Sequence, residues 1–276
     1  MALVIPYTEL IDRHMDAACT PAGERHVPHW FIWLACILSW WLPYLLLRMR
    51  VYNKQALRER RGKGAIIVGN HASYPDPYFV VISSMPKQWA RFLAKDDLFE
   101  KGNGLGGFFL SRLGVLPLKR DSADRSGIKR AVKMLSAGEI VGIFPEGTRR
   151  GKTEYEITLH GGAAFMARMA DVPVIPFGIR GADRLVVNHH INLPKITLHY
   201  GEPVWVKDFD FLPRTERLDA MTWFFMREVH ALAAGVSPEE VDMDALYPGS
   251  VSYAETLRGF VPPSRLVKAQ KEEVAL

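Results

Sequence analysis

Two cysteines, Cys19 and Cys36, are all the thiols in 276 residues. That scarcity leaves no room for a disulfide framework or a cysteine-based zinc site, and it fits a reducing compartment. The chain also lacks a G-x-S-x-G nucleophile elbow, a G-x4-G-K-[ST] phosphate loop and an H-E-x-x-H zinc helix. Serine-elbow hydrolases, P-loop nucleotide enzymes and zincins therefore fall away on the residues alone. Repeats and low-complexity stretches are missing too. With 48% hydrophobic and 24% charged residues, the composition excludes disorder, collagen and coiled coil, and the length is ample for one filled core. A formal charge of +5 and a pI near 9.2 call for an anionic partner without choosing among phosphate, acidic lipid and nucleic acid.

Charge is absent from one long stretch. Residues 30–47, WFIWLACILSWWLPYLLL, carry none, and Arg48, Arg50, Lys54, Arg58, Arg60, Arg61 and Lys63 follow with only Glu59 opposing. The first 29 residues, by contrast, lean acidic, with Glu9, Asp12, Asp16 and Glu24 against Arg13 and Arg25. This asymmetry marks a membrane segment whose basic flank faces the cytoplasm. Eighteen apolar residues are near the lower limit for spanning, and Pro43 kinks such a helix, so spanning and in-plane arrangements both stay open, with a buried core helix as the alternative to either. Four of the seven tryptophans lie here, which favours the headgroup level for at least one end. The start lacks a basic n-region, so the segment is expected to remain in the mature protein.

Beyond Arg61 short β-branched runs alternate with helical periods. AIIVG (65–69), IVGIF (140–144), VIPFGI (174–179) and ITLHY (196–200) read as strands. Ser122 or Asp124 starts a helix that Gly138 stops, and another runs from about Arg214 to Ala234. The expectation is an α/β fold with a mostly parallel sheet flanked by helices and an N-terminal membrane-associated helical segment. Three regions follow: residues 1–61 as that segment, 62–235 as the α/β domain, and 236–276 as a C-terminal extension.

The chemistry gathers where strands end, the usual ligand edge of open α/β sheets. AIIVG runs into Asn70, His71, Ala72, Ser73, Tyr74, Pro75, Asp76 and Pro77. The two prolines force a turn, which makes Asp76 with Pro77 an N-cap and N1 pair and folds the aspartate back toward the imidazole. Asp76 then orients His71 as a general base; capping and turn-filling alone is the plainer reading. No nucleophile accompanies the pair, so direct activation of a substrate hydroxyl is expected. After IVGIF come Pro145, Glu146, Gly147, Thr148, Arg149, Arg150 and Lys152, a phosphate-suited loop. Arg120 closes GVLPLKR in the same way. His189 and His190 read as surface residues. Gly102, Gly104 and Gly107 satisfy G-x-G-x-x-G, but the charged DDLFEK before them is no strand, and a dinucleotide site is rejected.

N-H-x4-D at 70–76, G-x5-R at 114–120, F-P-E-G-T-R at 144–149 and V-P-V-I-P at 172–176 resemble, in order and spacing, the four motifs of the glycerolipid and lysophospholipid acyltransferases, over about residues 65–205. The resemblance implies a catalytic pair of His71 and Asp76, and acceptor phosphate binding by Arg120, Glu146, Gly147, Thr148 and Arg149. It adds Lys95 as a phosphate or oxyanion contact, and Pro173 and Pro176 beside the donor or acyl pocket. Arg150 replaces a serine often found after E-G-T-R, and Pro117 with Lys119 makes the second block unusual. The expected reaction moves an acyl group from acyl-CoA or acyl carrier protein, as co-substrate, to the hydroxyl of 1-acylglycerol-3-phosphate. No cofactor and no metal are called for. The partners are a membrane lipid acceptor and an anionic membrane surface, with no nucleic acid, and the location is the cytoplasmic face of the cell membrane. The alternatives are an acyltransferase acting on another lysophospholipid or phosphorylated acceptor, a non-catalytic phospholipid-binding protein of this fold, and a thioesterase or lipase.

Overall fold

The computed structural model describes residues 34, 39, 41–85, 88–100, 110, 114–118, 124–146, 159–187 and 190–274. Cys19, Cys36, the glycines at 102–107, Lys119, Arg120, residues 147–152 and His189 lie outside the described residues, as does half of the apolar run.

Seven strands form one sheet in the order β1, β9, β6, β2, β5, β3, β4. They are β1 (Arg50–Tyr52), β2 (Ala65–Gly69), β3 (Ala90–Lys95), β4 (Leu116–Leu118), β5 (Ile140–Ile143), β6 (Val174–Arg180) and β9 (Thr197–Tyr200). A separate hairpin pairs β7 (Val186–Val187) with β8 (His190–Ile191). Neighbours are parallel except β6 and β9, so β9 and β1 run opposite to the rest. The four runs read from the sequence as strands are all strands: AIIVG, IVGIF and VIPFGI because each is apolar enough to be covered on both faces, and ITLHY by alternation, Leu198 and Tyr200 being buried and Thr197 and His199 only half-buried.

The centre, β2, is buried at every residue. Ile66 and Val68 point to one layer, against α4 (Arg125–Ser136), α5 (Gly162–Ala170) and α6 (Arg217–Ala234). Ala65 and Ile67 point to the other, against α1 (Gln55–Arg58) and α2 (Asp76–Ser84). This period of two divides the core into two apolar clusters. Gly178 lets α6 lie against β6: a Cβ there meets the Ala233 nitrogen at 2.3 Å. The Asp124 carboxylate caps α4 by accepting from the Ser126 and Gly127 amides, settling the choice between Ser122 and Asp124.

The C-terminal residues pack rather than trail. Met243 in α7 (Met243–Leu246), Tyr247, Tyr253 and Leu257 belong to the same buried cluster as α6. Helix α8 (Pro263–Val274) is then held by Arg265, whose guanidinium forks onto the Glu228 carboxylate at 2.6 and 2.7 Å.

At the other end, residues 41–46 are helical. Pro43 and Leu47 face inward, while Trp41, Leu42, Leu45 and Leu46 are exposed. Arg48, at φ 44°, ends the turn and aims the chain into β1. Among the described residues no helix is long and apolar enough to cross a membrane.

The sheet splits the basic flank. Because β1 runs opposite to β2, Arg48 and Arg50 lie where β2 ends, whereas Lys63 directly precedes its start. Two flank cations are also tied to the fold. Lys54 donates to the Met85 carbonyl at 2.9 Å, and Arg60 donates to Gly64 and stacks over Trp205. Burial lowers the pKa of both.

Candidate active site

Three parallel strands, β2, β5 and β3, deliver the described candidates to one edge. His71 follows β2, Glu146 follows β5, and Lys95 is the last residue of β3. The end of β2 is fastened by Asn70, whose amide oxygen accepts from the Ile179 N–H at 2.8 Å while its amide nitrogen donates to the Ile179 carbonyl at 3.0 Å. This continues the β2–β6 ladder by side chain after its last backbone pair, Gly69 with Phe177. Gly69 has no alternative, since a Cβ meets the Phe177 ring at 2.1 Å. Asn70 lay in the motif without being singled out; two-way amide pairing with a distant strand has no local signature.

The turn after Asn70 brings Asp76 to His71. His71 Nδ1 lies 2.9 Å from Asp76 Oδ2, which also accepts from the Ala72 and Ser73 amides at 2.8 and 2.7 Å. Asp76 is wholly buried. Its place differs from the expectation by one residue: Pro75 holds the N-cap position and Asp76 is the first helical residue, with Pro77 next. The carboxylate reaches back over the turn instead of capping the helix, and this reach lets it hold three N–H groups at once.

A second contact fixes the ring. Phe144 stacks on His71 at a centroid distance of 4.3 Å and 15° between planes, and is itself stacked on Phe92 at 5.2 Å. Held at Nδ1 and on one face, the imidazole presents Nε2, for which no described residue supplies a hydrogen bond; its side chain keeps 18% exposure. Ser73, the nearest hydroxyl in sequence, buries its Oγ and makes no bond to His71. Among the described residues, the site therefore holds an oriented imidazole without a serine hydroxyl bonded to it.

Glu146 turns away from the surface. It is buried, and Tyr247 donates its hydroxyl to Oε1 at 3.1 Å. His230 Nε2 lies 2.8 Å from the Tyr247 hydroxyl and 3.5 Å from the same carboxylate oxygen. Helix α6 and the end of α7 thus anchor the chain immediately before the 147–150 loop. Neither Tyr247 nor His230 carried a sequence signal, because their link to Glu146 exists only after the C-terminal residues pack.

Lys95 pairs with Asp97 at 3.1 Å and is partly exposed. One strand, β5, separates β3 from β2, so it stands about 10 Å from the β2 line. Pro173 precedes β6 at the opposite edge, where its carbonyl accepts from the Ile66 amide at 3.0 Å, so it is remote from a pocket beside His71; Pro176 lies mid-strand opposite Val68. Arg120, Gly147, Thr148 and Arg149 lie outside the described residues. The strands they follow, β4 and β5, run parallel to β2 in the same sheet. His190 is exposed on the hairpin.

The chain that folds into this mostly parallel sheet, with an aspartate-oriented histidine at its edge, matches a family model described as Acyltransferase over residues 48–180. A 1-acyl-sn-glycerol-3-phosphate acyltransferase of Bacillus subtilis (strain 168) is 35% identical over 174 residues, covering 63% of this chain and 82% of that protein. One from Streptococcus pneumoniae (strain ATCC BAA-255 / R6) is 28% identical over 144 residues, covering 52% and 51%. In fold, the crystal structure of the 1-acyl-sn-glycerophosphate (LPA) acyltransferase PlsC from Thermotoga maritima superposes with a TM-score of 0.54 at 19% identity, covering 84% of this chain and 91% of that one. The class is that of the acyltransferases. Within it, the chain belongs to the 1-acyl-sn-glycerol-3-phosphate acyltransferase family.

Proposed function

We propose that the chain moves a fatty acyl group from acyl-CoA or acyl carrier protein to the free hydroxyl of 1-acylglycerol-3-phosphate, giving phosphatidic acid. The observation that carries this reading is the His71 imidazole, oriented at Nδ1 by Asp76 and open at Nε2, with no protein nucleophile beside it among the described residues. Nε2 takes the hydroxyl proton as the acceptor oxygen attacks the thioester carbonyl, forming the C–O bond. The tetrahedral intermediate then collapses, the C–S bond breaks, and the proton on Nε2 passes to the leaving thiolate. Asp76, accepting from Nδ1–H, stabilises the imidazolium formed between those steps. General-base help of this kind is worth roughly 100- to 10,000-fold. The reaction needs neither cofactor nor metal beyond the thioester donor.

Arg120 and Arg149, with the amides of Gly147 and Thr148, are the groups suited to the acceptor phosphate. Lys95 offers a further cation at the same edge. Glu146 serves differently: a buried carboxylate repels a phosphate, so its bond to Tyr247 holds the loop in place. Alanine at Arg120 or Arg149 is expected to lower acceptor efficiency about ten- to a hundredfold, each charge-assisted bond being worth roughly 1.5 to 3 kcal/mol, with little change for the donor. Kinetics varying each substrate in turn checks this.

The apolar segment at 30–47 places the enzyme on the membrane that holds its acceptor, the α/β domain lying on the cytoplasmic face. The outward Trp41, Leu42, Leu45 and Leu46 beside Arg48 support that placement. Product analysis by mass spectrometry with a panel of lysolipids and both donor types tests the assignment. Phosphatidic acid is the expected product, and equal turnover of an acceptor without a phosphate overturns it.

A further inference from the structure

The hairpin that follows β6 is written in the wrong residues for water. Val186, Val187 and Ile191 are 60%, 45% and 80% exposed, and Leu193 just beyond is 54% exposed. Val186 stands directly opposite Ile191 in the ladder, so the two form one apolar cross-strand pair on an uncovered face. The hairpin is nevertheless closed: the Asn192 amide donates to the Leu185 carbonyl at 2.8 Å and its side chain to the Arg184 carbonyl at 3.2 Å. A two-stranded ribbon in water is marginal by itself, and exposed apolar side chains do not help it there.

Its position is specific. β6 ends at the edge where His71 sits, the two strand ends being locked by the Asn70–Ile179 bonds, so the hairpin emerges on the catalytic side of the sheet. It is also next to the exposed apolar helix at 41–46. Arg48 donates to the Leu193 carbonyl at 3.2 Å, and the Ile196 amide donates to the Leu47 carbonyl at 3.1 Å. Around the two elements lie Arg48, Arg50, Arg184 and Lys195, all exposed, with Asp183 the acid among the nearby described residues. Exposed apolar side chains on the two strands, with cations around them, match an anionic leaflet, with hydrocarbon below and phosphate headgroups at the rim.

We infer that the β7–β8 hairpin is a second lipid-contacting element, inserting Val186, Val187 and Ile191 into the anionic bilayer beside the N-terminal segment and so presenting the His71 edge to the membrane. This rests on the reading that the acceptor is a membrane lipid. It adds that the domain grips the leaflet at two separate points, which sets the tilt of the sheet edge and gives a lysolipid a lateral route toward His71.

The test uses the full chain and vesicles of phosphatidylcholine with phosphatidylglycerol. V187S/I191S is expected to lower partitioning about tenfold, since each exposed side chain contributes a few-fold or more. KM for vesicle-embedded acceptor should rise similarly, while turnover of a short-chain, monomerically dissolved acceptor stays at the wild-type value. As a direct probe, an environment-sensitive dye on I191C in a Cys19→Ser/Cys36→Ser background should shift to the blue when vesicles are added. Wild-type partitioning by V187S/I191S with no dye shift overturns the hairpin's role and leaves the acyltransferase reading intact. Failure of the wild-type chain to bind vesicles overturns both the hairpin and the membrane placement. A variant that partitions normally but loses self-association in sedimentation shows that a second copy covers the hairpin, which also overturns the inference.

Discussion

Two carboxylate–imidazole pairs stand at the same end of this sheet and serve different ends. His71 and Asp76 are five residues apart and meet across one turn. Glu146 and His230 meet through Tyr247, which is 101 residues from Glu146 and 17 from His230. In the first pair the carboxylate takes Nδ1 and a phenyl ring takes one face, leaving Nε2 to act. In the second, Nε2 itself is spent on the Tyr247 hydroxyl, and the Glu146 carboxylate lies buried. The same functional groups leave an imidazole nitrogen open in one case and engage it in the other, according to which nitrogen the fold consumes.

The largest expected effect comes from removing the first imidazole. His71→Ala should lower kcat by about 1,000-fold or more, within the range of general-base catalysis, with the acceptor KM and the circular-dichroism spectrum unchanged. Full turnover by the folded variant breaks the comparison at once. Asp76→Asn should follow, slowing kcat by roughly 100-fold and lowering stability by about 1.5 to 3 kcal/mol, because an amide cannot offer charged acceptance to all three N–H groups. Denaturant titration beside the kinetics separates the two losses.

Tyr247→Phe sharpens the contrast. It strips a hydroxyl from the buried Glu146 carboxylate without touching the base, so the acceptor KM should rise about tenfold while kcat moves little, with a stability loss of about 1 to 3 kcal/mol. A drop in kcat at constant KM would instead place this second pair in the chemistry.

The smallest effect concerns a carboxylate far from either pair. Burial raises the Glu202 pKa, but hydrogen bonds from Asn53 and Lys268 and the charges of Lys268 and Arg265 outweigh it, so the group stays below its ordinary value of 4.5. A depressed carboxylate stabilises the fold above that value, and the contribution is lost as pH falls through the folded pKa. Lys268 reaches both Glu59 and Glu202 at 3.1 Å and so ties α8 to the body. Glu202→Gln should cost under about 1 kcal/mol near neutrality for so exposed a pair, less as pH falls below 4.5, and no activity. Denaturation midpoints near neutrality and below pH 4.5 check it.

Much of the site was legible because its first half is local. N-H-x4-D spans a single turn, so the two prolines and the strand before them were enough to fold Asp76 back on His71, although the cap position went to Pro75. Three of the strands were legible for a similar reason: a segment buried on both faces must be apolar throughout. Phe144 was visible as the end of a strand, yet its stacking on His71 required β5 to lie beside β2, and the order of strands in a sheet is not encoded in any one of them.

By itself, then, the sequence determined the alternation of strands and helices, the turn that joins His71 to Asp76, and the sign of charge beside an apolar segment, all set by neighbours within a few residues. Tertiary structure alone decided three other things. It divided one contiguous run of basic residues between opposite edges of the sheet, because β1 runs against β2. It turned Glu146 inward to Tyr247 and His230, and it stood an apolar hairpin next to a helix nearly 150 residues away, Arg48 to Leu193 being 145 apart. Contacts of that span depend on how strands are ordered and which way each runs, and a local pattern of residues carries no record of either.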